Sequence, residues 1–114
     1  MVIAVTKAIT LMDNMKNQAM VLDILVSIKN NKKNEFIQLF ELLSGPSYQM
    51  SGRSEQKLFE EIGRPDHFLW KEQWNDAKSL EAYFHSNNFR ALLGAILVLG
   101  KLEEIRKGEV SPVK

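Results

Sequence analysis

The stretch of residues 67 to 100 constrains the fold of this chain more than any other part of it. It opens with the segment HFLWKEQW, in which every second position carries a large side chain: Phe68, Trp70, Glu72 and Trp74. Because side chains along a strand point alternately to opposite faces, this segment is predicted to be a strand with one aromatic face.

Two helices are predicted directly after this strand. Asp76 stands where a helix N-cap is expected, and Ser86 stands at the corresponding place before the second helix. Apolar residues then recur at helical spacing: Leu80, Tyr83 and Phe84 in the first helix, and Phe89, Leu92, Leu93, Ile96 and Leu97 in the second. Such helices need a surface to pack on, so the run predicts a strand covered by a helix pair.

An earlier strand and helix are predicted from the same two periodicities. From Met20 the sequence VLDILVSIK alternates, which places Ile24 and its neighbours at period two on one face. Asn30 and Asn31 then offer N-caps for an amphipathic helix from about residue 32 to residue 43, which ends before a Gly-Pro pair.

The rest of the chain completes an α+β arrangement. Residues 53 to 62 are a weaker strand candidate joined by a turn to the strand after it, and residues 101 to 110 form a charged edge strand, although Leu102 and Ile105 would also suit a helical turn. This order predicts a ferredoxin-like split βαβ fold, a four-stranded antiparallel sheet with its helices on one face. Residues 20 to 114 would form this domain, and residues 1 to 19 a leader or arm.

Composition excludes several classes of function. A formal net charge of +1 provides no field to attract nucleic acid or an anionic membrane, and the absence of cysteine excludes disulfides and thiol chemistry. The apolar run at residues 91 to 100 is about half of the roughly 20 residues that a spanning helix needs. The amino terminus is a poor signal peptide, so a cytoplasmic protein is expected.

The candidate functional residues are aromatic. The two histidines, His67 and His85, have no partner at metal-ligand spacing, so no metal site is expected. Rings concentrate around one strand and the helices after it, where they could form a core and subunit interface or the wall of a pocket for a flat ligand. Glu72 lies between two tryptophans on the apolar face, and we expect it to pair with Arg53 or Arg90.

Residues 20 to 110 resemble the antibiotic biosynthesis monooxygenase family. The resemblance rests on the spacing of Phe68, Glu72 and Trp74, then of Leu80-Glu81-Ala82, and then of Ser86 and Phe89-Arg90-Ala91. It implies a dimeric α/β barrel, in which two ferredoxin-like protomers pack sheet against sheet and each holds a cavity between its helices and its sheet. A homodimer is therefore the expected assembly.

The family includes cofactor-independent oxygenases of aromatic compounds and haem-degrading enzymes. Two histidines common in the family correspond to Tyr83 and Asn88 here. The three positions that mark the haem-degrading branch correspond to Ile24, Tyr83 and Leu93, and all three are changed. Haem degradation is therefore not expected.

The resemblance instead implies a cofactor-independent monooxygenase for a small quinol or polyketide-like aromatic substrate. Tyr83 and His85 would be the catalytic residues, with no cofactor and no metal. The predicted substrate-binding residues are Ile24, Trp70, Trp74, Phe89 and Leu93. The alternative is a small-molecule-binding or structural dimer that keeps the fold without catalysis.

Overall fold

A computed structural model describes residues 18 to 110, and they form a four-stranded antiparallel sheet with three helices. The strands are β1 (Met20–Ile28), β2 (Arg53–Glu60), β3 (His67–Trp74) and β4 (Gly100–Glu109), in the spatial order β2-β3-β1-β4. The helices are α1 (Lys33–Leu43), α2 (Ala77–Phe84) and α3 (Asn87–Leu99). The predicted ferredoxin-like α+β fold is confirmed.

The alternation in β1 and β3 produces the core. Their antiparallel register places Ile24 opposite Trp70 and Leu22 opposite Glu72, so the two buried faces coincide. Phe36 of α1 packs edge-on against Trp70, with ring centroids 6.0 Å apart. Full burial of an apolar side chain contributes about 1.5 to 3 kcal/mol, so these paired faces are a major source of stability.

The predicted N-caps of the last two helices are confirmed, whereas that of the first is not. The Asp76 carboxylate accepts a hydrogen bond of 2.7 Å from the Ser79 amide, and the Ser86 hydroxyl accepts one of 3.1 Å from the Phe89 amide. At α1 the two asparagines instead lie in a 3-10 turn, Asn30–Lys32, and no side chain caps the helix. The prediction of an asparagine cap was wrong, because both asparagines belong to the 3-10 turn that leads into the helix. The hydrogen bonds of that turn already satisfy part of the backbone there.

The two edge strands are β2 and β4, as the charges of the latter predicted. Between β1 and β4 the register shifts by one residue, so that Leu25 lies opposite Glu104 while Val26 lies opposite Leu102. The predicted leader at residues 1 to 19 falls mostly outside the described residues. Of the helices in the described part, none is long and apolar enough to cross a membrane.

Candidate functional site

A fully buried carboxylate lies at the centre of the aromatic face of β3. Glu72 has no exposed surface, and Trp70 and Trp74 flank it on the same face of the strand. The Trp70 indole donates a hydrogen bond of 2.9 Å to Glu72 Oε2, and the Trp74 indole donates one of 3.1 Å to Oε1. The strand therefore satisfies both indole N–H groups with a single side chain, which removes the cost of burying them unpaired.

The neighbouring strand β2 supplies two further partners. Gln56, which lies opposite Glu72 in the register, donates a hydrogen bond of 3.0 Å to Oε2. The Arg53 guanidinium lies 3.9 Å from the same oxygen and has only 8% of its side chain exposed. Of the two arginines expected to pair with Glu72, Arg53 is the one that does, while Arg90 is exposed on α3.

Arg53 is held rigidly by its other contacts. Its guanidinium donates hydrogen bonds of 3.2 Å to the Leu43 carbonyl and 2.7 Å to the Tyr48 carbonyl. It also lies 5.9 Å from the ring centroid of Trp74, within cation–π range. Because a planar guanidinium cannot lose its charge at ordinary pH, it supplies a fixed positive charge beside Glu72.

Tyr83 of α2 closes the cluster from the helix side. Its hydroxyl donates a hydrogen bond of 3.4 Å to Glu72 Oε2, and its ring lies 4.7 Å from that of Trp74. Burial, together with the negative charge of Glu72, raises the pKa of Tyr83 above its usual value. Tyr83 is therefore a protonated hydrogen-bond donor at neutral pH and is poorly suited to act as a base.

Within the described residues, three cavities adjoin this cluster. A small cavity of about 20 Å³ is bordered by Arg53, Gln56, Trp70 and Tyr83, and it has room for about one water molecule. A polar cavity of about 230 Å³ lies against β2, and an open cleft of about 350 Å³ lies over Trp74 and Tyr83. The cleft reaches the size of small-molecule sites, which occupy about 300 to 1,000 Å³.

The structure brings most of the predicted site residues together. Trp70, Trp74 and Tyr83 contact Glu72, and the Phe89 ring lies 5.1 Å from that of Tyr83. The two aliphatic positions, Ile24 and Leu93, belong to the core and its border. The site therefore centres on a strand residue that the aromatic pattern surrounds.

His85 lies apart from this group. It follows the last residue of α2, its side chain is 76% exposed, and its Nε2 atom lies 3.3 Å from Glu81 Oε1. The catalytic role predicted for His85 stays a prediction. Among residues 18 to 110, no group of three or more histidine, aspartate or glutamate side chains is placed to hold a metal ion.

The predicted site residues did not include Glu72 itself, nor Arg53, Gln56 and Met50 around it. Arg53 and Gln56 lie on β2, whose alternation is weak. The face of the sheet to which their side chains point could therefore not be deduced before the register with β3 was known. A usable signal did exist for Glu72. A carboxylate two residues from each of two tryptophans on a strand lies on their face, within reach of both indoles.

Solved structures with this fold include oxygenases. A protein from Bacteroides thetaiotaomicron, titled a possible oxidoreductase, has a TM-score of 0.70 at 24% identity over 82% of this chain and 99% of its own. SnoaB, a cofactor-independent oxygenase from Streptomyces nogalater, has a TM-score of 0.66 at 12% identity over 85% of this chain and 95% of its own. At these identities the similarity establishes the fold alone.

Sequence comparison identifies the family. The chain is 25% identical over 88 residues to the Bacillus subtilis protein named "Putative monooxygenase YcnE". The matched segment covers 75% of this chain and 93% of that protein. The family model for antibiotic biosynthesis monooxygenase matches residues 19 to 94, two thirds of the chain and nearly all of the site described above. The chain therefore belongs to the antibiotic biosynthesis monooxygenase family.

Proposed function

We propose that this protein is a cofactor-independent monooxygenase that oxidises a small aromatic substrate of the quinol or polyketide type. The observation that carries the proposal is the buried Glu72 carboxylate, which lies among two indoles and a phenol. Two of these three rings, those of Trp74 and Tyr83, border an open cleft. A flat phenolic ligand would find stacking surfaces and a hydrogen-bond acceptor in one place.

The reaction needs little from the protein, because the substrate supplies the electrons. In an anthrone, for example, the methylene carbon loses two hydrogen atoms and gains one atom of O₂ as a carbonyl. The second oxygen atom leaves as water with those two hydrogens, so atoms and electrons balance without a cofactor. The protein must accept a proton from the substrate, hold the resulting anion and exclude bulk water.

Glu72 is the group best placed to accept that proton. Its hydrogen bond with Tyr83, at 3.4 Å, is the longest of the four that it accepts, so an incoming hydroxyl would displace that contact first. Tyr83 would then donate its hydrogen bond to the substrate oxygen, and Trp74 would stack on the ring. The exposed position of His85 favours Glu72 over His85 as the base.

Oxygen uptake tests these roles. We expect purified protein to consume O₂ with anthrones and form anthraquinones, and Glu72→Gln to lower the rate by about 10²-fold or more. Tyr83→Phe should lower it less, because it removes a donor and leaves the acceptor. His85→Ala, measured in parallel, decides which acceptor acts: a loss matching that of Glu72→Gln would assign the base to His85. No uptake with any quinol or anthrone would refute the proposal.

One observation favours a second candidate, a binding protein without catalysis. The cavity that borders Trp70 is about 20 Å³, too small for an aromatic ring, and Tyr83 and Asn88 replace the histidines common in the family. Under this alternative, aromatic phenols would raise the melting temperature of the protein without any O₂ uptake. The two assays on one preparation separate the candidates.

We also propose that the protein acts as a homodimer that pairs the sheet faces opposite the helices. The register aligns Phe59, Leu69 and Leu25 in one row across three strands, and Phe59 is 47% exposed. A groove of about 600 Å³ runs beside them, bordered by two arginines and four glutamates. Mixed charges suit a two-fold interface, where each patch meets its own copy.

Light scattering tests the assembly. The wild-type protein should have twice the chain mass, and Phe59→Asp should have the mass of one chain because it buries a charge in the interface. Leu97→Asp is the matched control, since Leu97 is 65% exposed on α3, away from the sheet face. A monomeric wild-type protein would contradict the dimer. The cytoplasmic location expected from the sequence stays a prediction.

A further inference from the structure

Met50 lies where three cavities beside the Glu72 cluster meet. It borders the small cavity beside Trp70, the polar cavity against β2 and the open cleft over Trp74. Among the described residues it is the only one that borders all three. Its side chain is partly exposed, and its sulfur lies 3.8 Å from the Asn88 amide nitrogen. The thioether therefore borders both the cleft and the small cavity beside Trp70, whose indole contacts Glu72.

The backbone around Met50 is firmly held. Gly52 has a φ of +88° and packs so closely on α2 that a Cβ atom there would lie 2.5 Å from Ser79. The Gly52 carbonyl accepts a hydrogen bond of 2.7 Å from the Asn75 amide, and the Met50 carbonyl accepts one of 3.1 Å from the Arg53 amide. With the main chain fixed on both sides, the unbranched Met50 side chain is the part that can move.

We infer that the Met50 side chain determines which aromatic ligands reach Glu72, by dividing the site when it lies inward and joining its three cavities when it rotates away. This inference rests on the proposed function and names the residue that controls access to the same site. When the side chain rotates outward, the cleft becomes continuous with the small cavity beside Trp70. The sulfur would then contact the edge of the bound ring, a contact that thioethers make favourably.

The size of this side chain should then set the size of the ligand. With methionine, the joined space suits a flat ligand of two or three fused rings, since the combined volume lies within the range of small-molecule sites. Removing the side chain beyond Cβ would keep the site permanently open to water and to bulkier rings. A rigid ring at this position would keep it closed.

Acrylamide quenching of tryptophan fluorescence tests the inference without any need for turnover. The two tryptophans of the chain, Trp70 and Trp74, are both in the site and at most 1% exposed, so quenching reports access to it. We expect Met50→Ala to raise the quenching rate constant roughly threefold or more, because it opens a water-sized path to the indoles. Met50→Phe should leave the constant at or below the wild-type value.

Leu99→Ala is the matched control, because Leu99 is also partly buried but borders none of the three cavities. It lies at the end of α3, next to the residue that pairs with Ile28, whereas Trp74 pairs with the opposite end of β1. Its quenching should equal that of the wild type. Equal increases in Met50→Ala and Leu99→Ala would mean general loosening and would overturn the inference, as would no increase in Met50→Ala.

A second measurement uses the wild-type protein, so it does not depend on how any variant folds. Protein labelled with ¹³C on its methionine methyl groups is titrated with 1,4-dihydroxynaphthalene under nitrogen, and the Met50 signal is assigned with Met50→Leu. We expect the Met50 methyl signal to shift when the ligand binds. If the ligand binds without shifting the Met50 signal, the inference that Met50 divides the site is refuted. If the Met50 signal shifts but O₂ uptake is absent, the inference stands and the monooxygenase proposal fails.

Discussion

Replacing Glu72 by leucine should be among the most destabilising single changes in this protein. The substitution puts an apolar side chain of similar size in place of the carboxylate on β3, and it removes the acceptor of four hydrogen bonds. The indole N–H groups of Trp70 and Trp74 have no other hydrogen-bond partner in the described residues, and both rings are buried. They would be left unpaired in an environment that water does not reach.

The size of the effect follows from those donors. A buried donor without a partner costs about 1 to 3 kcal/mol, so two indoles account for a loss of about 2 to 6 kcal/mol. The uncompensated charge of Arg53 adds to that loss. Domains of this size have unfolding free energies of about 5 to 15 kcal/mol, so Glu72→Leu should lower the melting temperature by about 10 to 30 °C.

Urea unfolding followed by far-ultraviolet circular dichroism measures this loss, since tryptophan fluorescence would itself respond to the change. Glu72→Gln should lose less, about 1 to 3 kcal/mol, because its carbonyl still accepts on one side while its amide faces a donor on the other. Glu55→Leu, at an exposed position of β2, is the control and should stay within about 0.5 kcal/mol. If Glu72→Leu proves as stable as Glu55→Leu, the indoles do not depend on the carboxylate and the reasoning fails.

Three further changes have defined outcomes. Burial raises the pKa of Tyr83, so the folded protein keeps a proton that the unfolded chain loses near pH 10. The unfolding free energy of the wild-type protein therefore falls above that pH. Tyr83→Phe should remove up to about 1.4 kcal/mol per pH unit of that fall between pH 10 and 11, measured by urea unfolding. Gly100→Ala would push a Cβ into the Ser27 carbonyl and should cost about 1 to 3 kcal/mol, whereas Gly108→Ala, with open space around it, should not. Ser86→Ala should cost about 1 kcal/mol in the same assay through the lost cap.

Three results would contradict these expectations, each for its own reason. An alkaline slope that is unchanged in Tyr83→Phe would show that another group, such as a lysine, causes the fall. Equal melting temperatures for Gly100→Ala and Gly108→Ala would mean that the start of β4 can shift without cost. A neutral Ser86→Ala would mean that water replaces the hydroxyl at the first turn of α3.

The sequence predicted those parts of the fold in which periodicity and burial agree. In β3 the alternation is complete, and every second residue is buried. In β4 it fails for a physical reason: the extra residue at the register shift puts Leu102 and Ile105 on the same face, although they are three positions apart. A spacing of three in a strand therefore imitated a helical turn, and only the pairing with β1 reveals the bulge.

The candidate site was predictable to the extent that it lies on one strand and the next helix. Trp70, Trp74 and Tyr83 could be placed from local spacing alone. Gln56 and Arg53 reach the site through the pairing of β2 with β3, and Met50 reaches it through the fold of the preceding loop. These are contacts between elements, and no periodicity within one element contains them.

The junction between α3 and β4 has a consequence for the register of the edge strand. The helix ends at Leu99 and the strand begins at Gly100, with no linker residue between them, and the Gly100 backbone is pressed against Ser27 of β1. A rigid joint of this kind transmits displacement instead of absorbing it. A residue inserted or deleted at this junction would therefore slip the register of β4 against β1 and exchange the two faces of the strand.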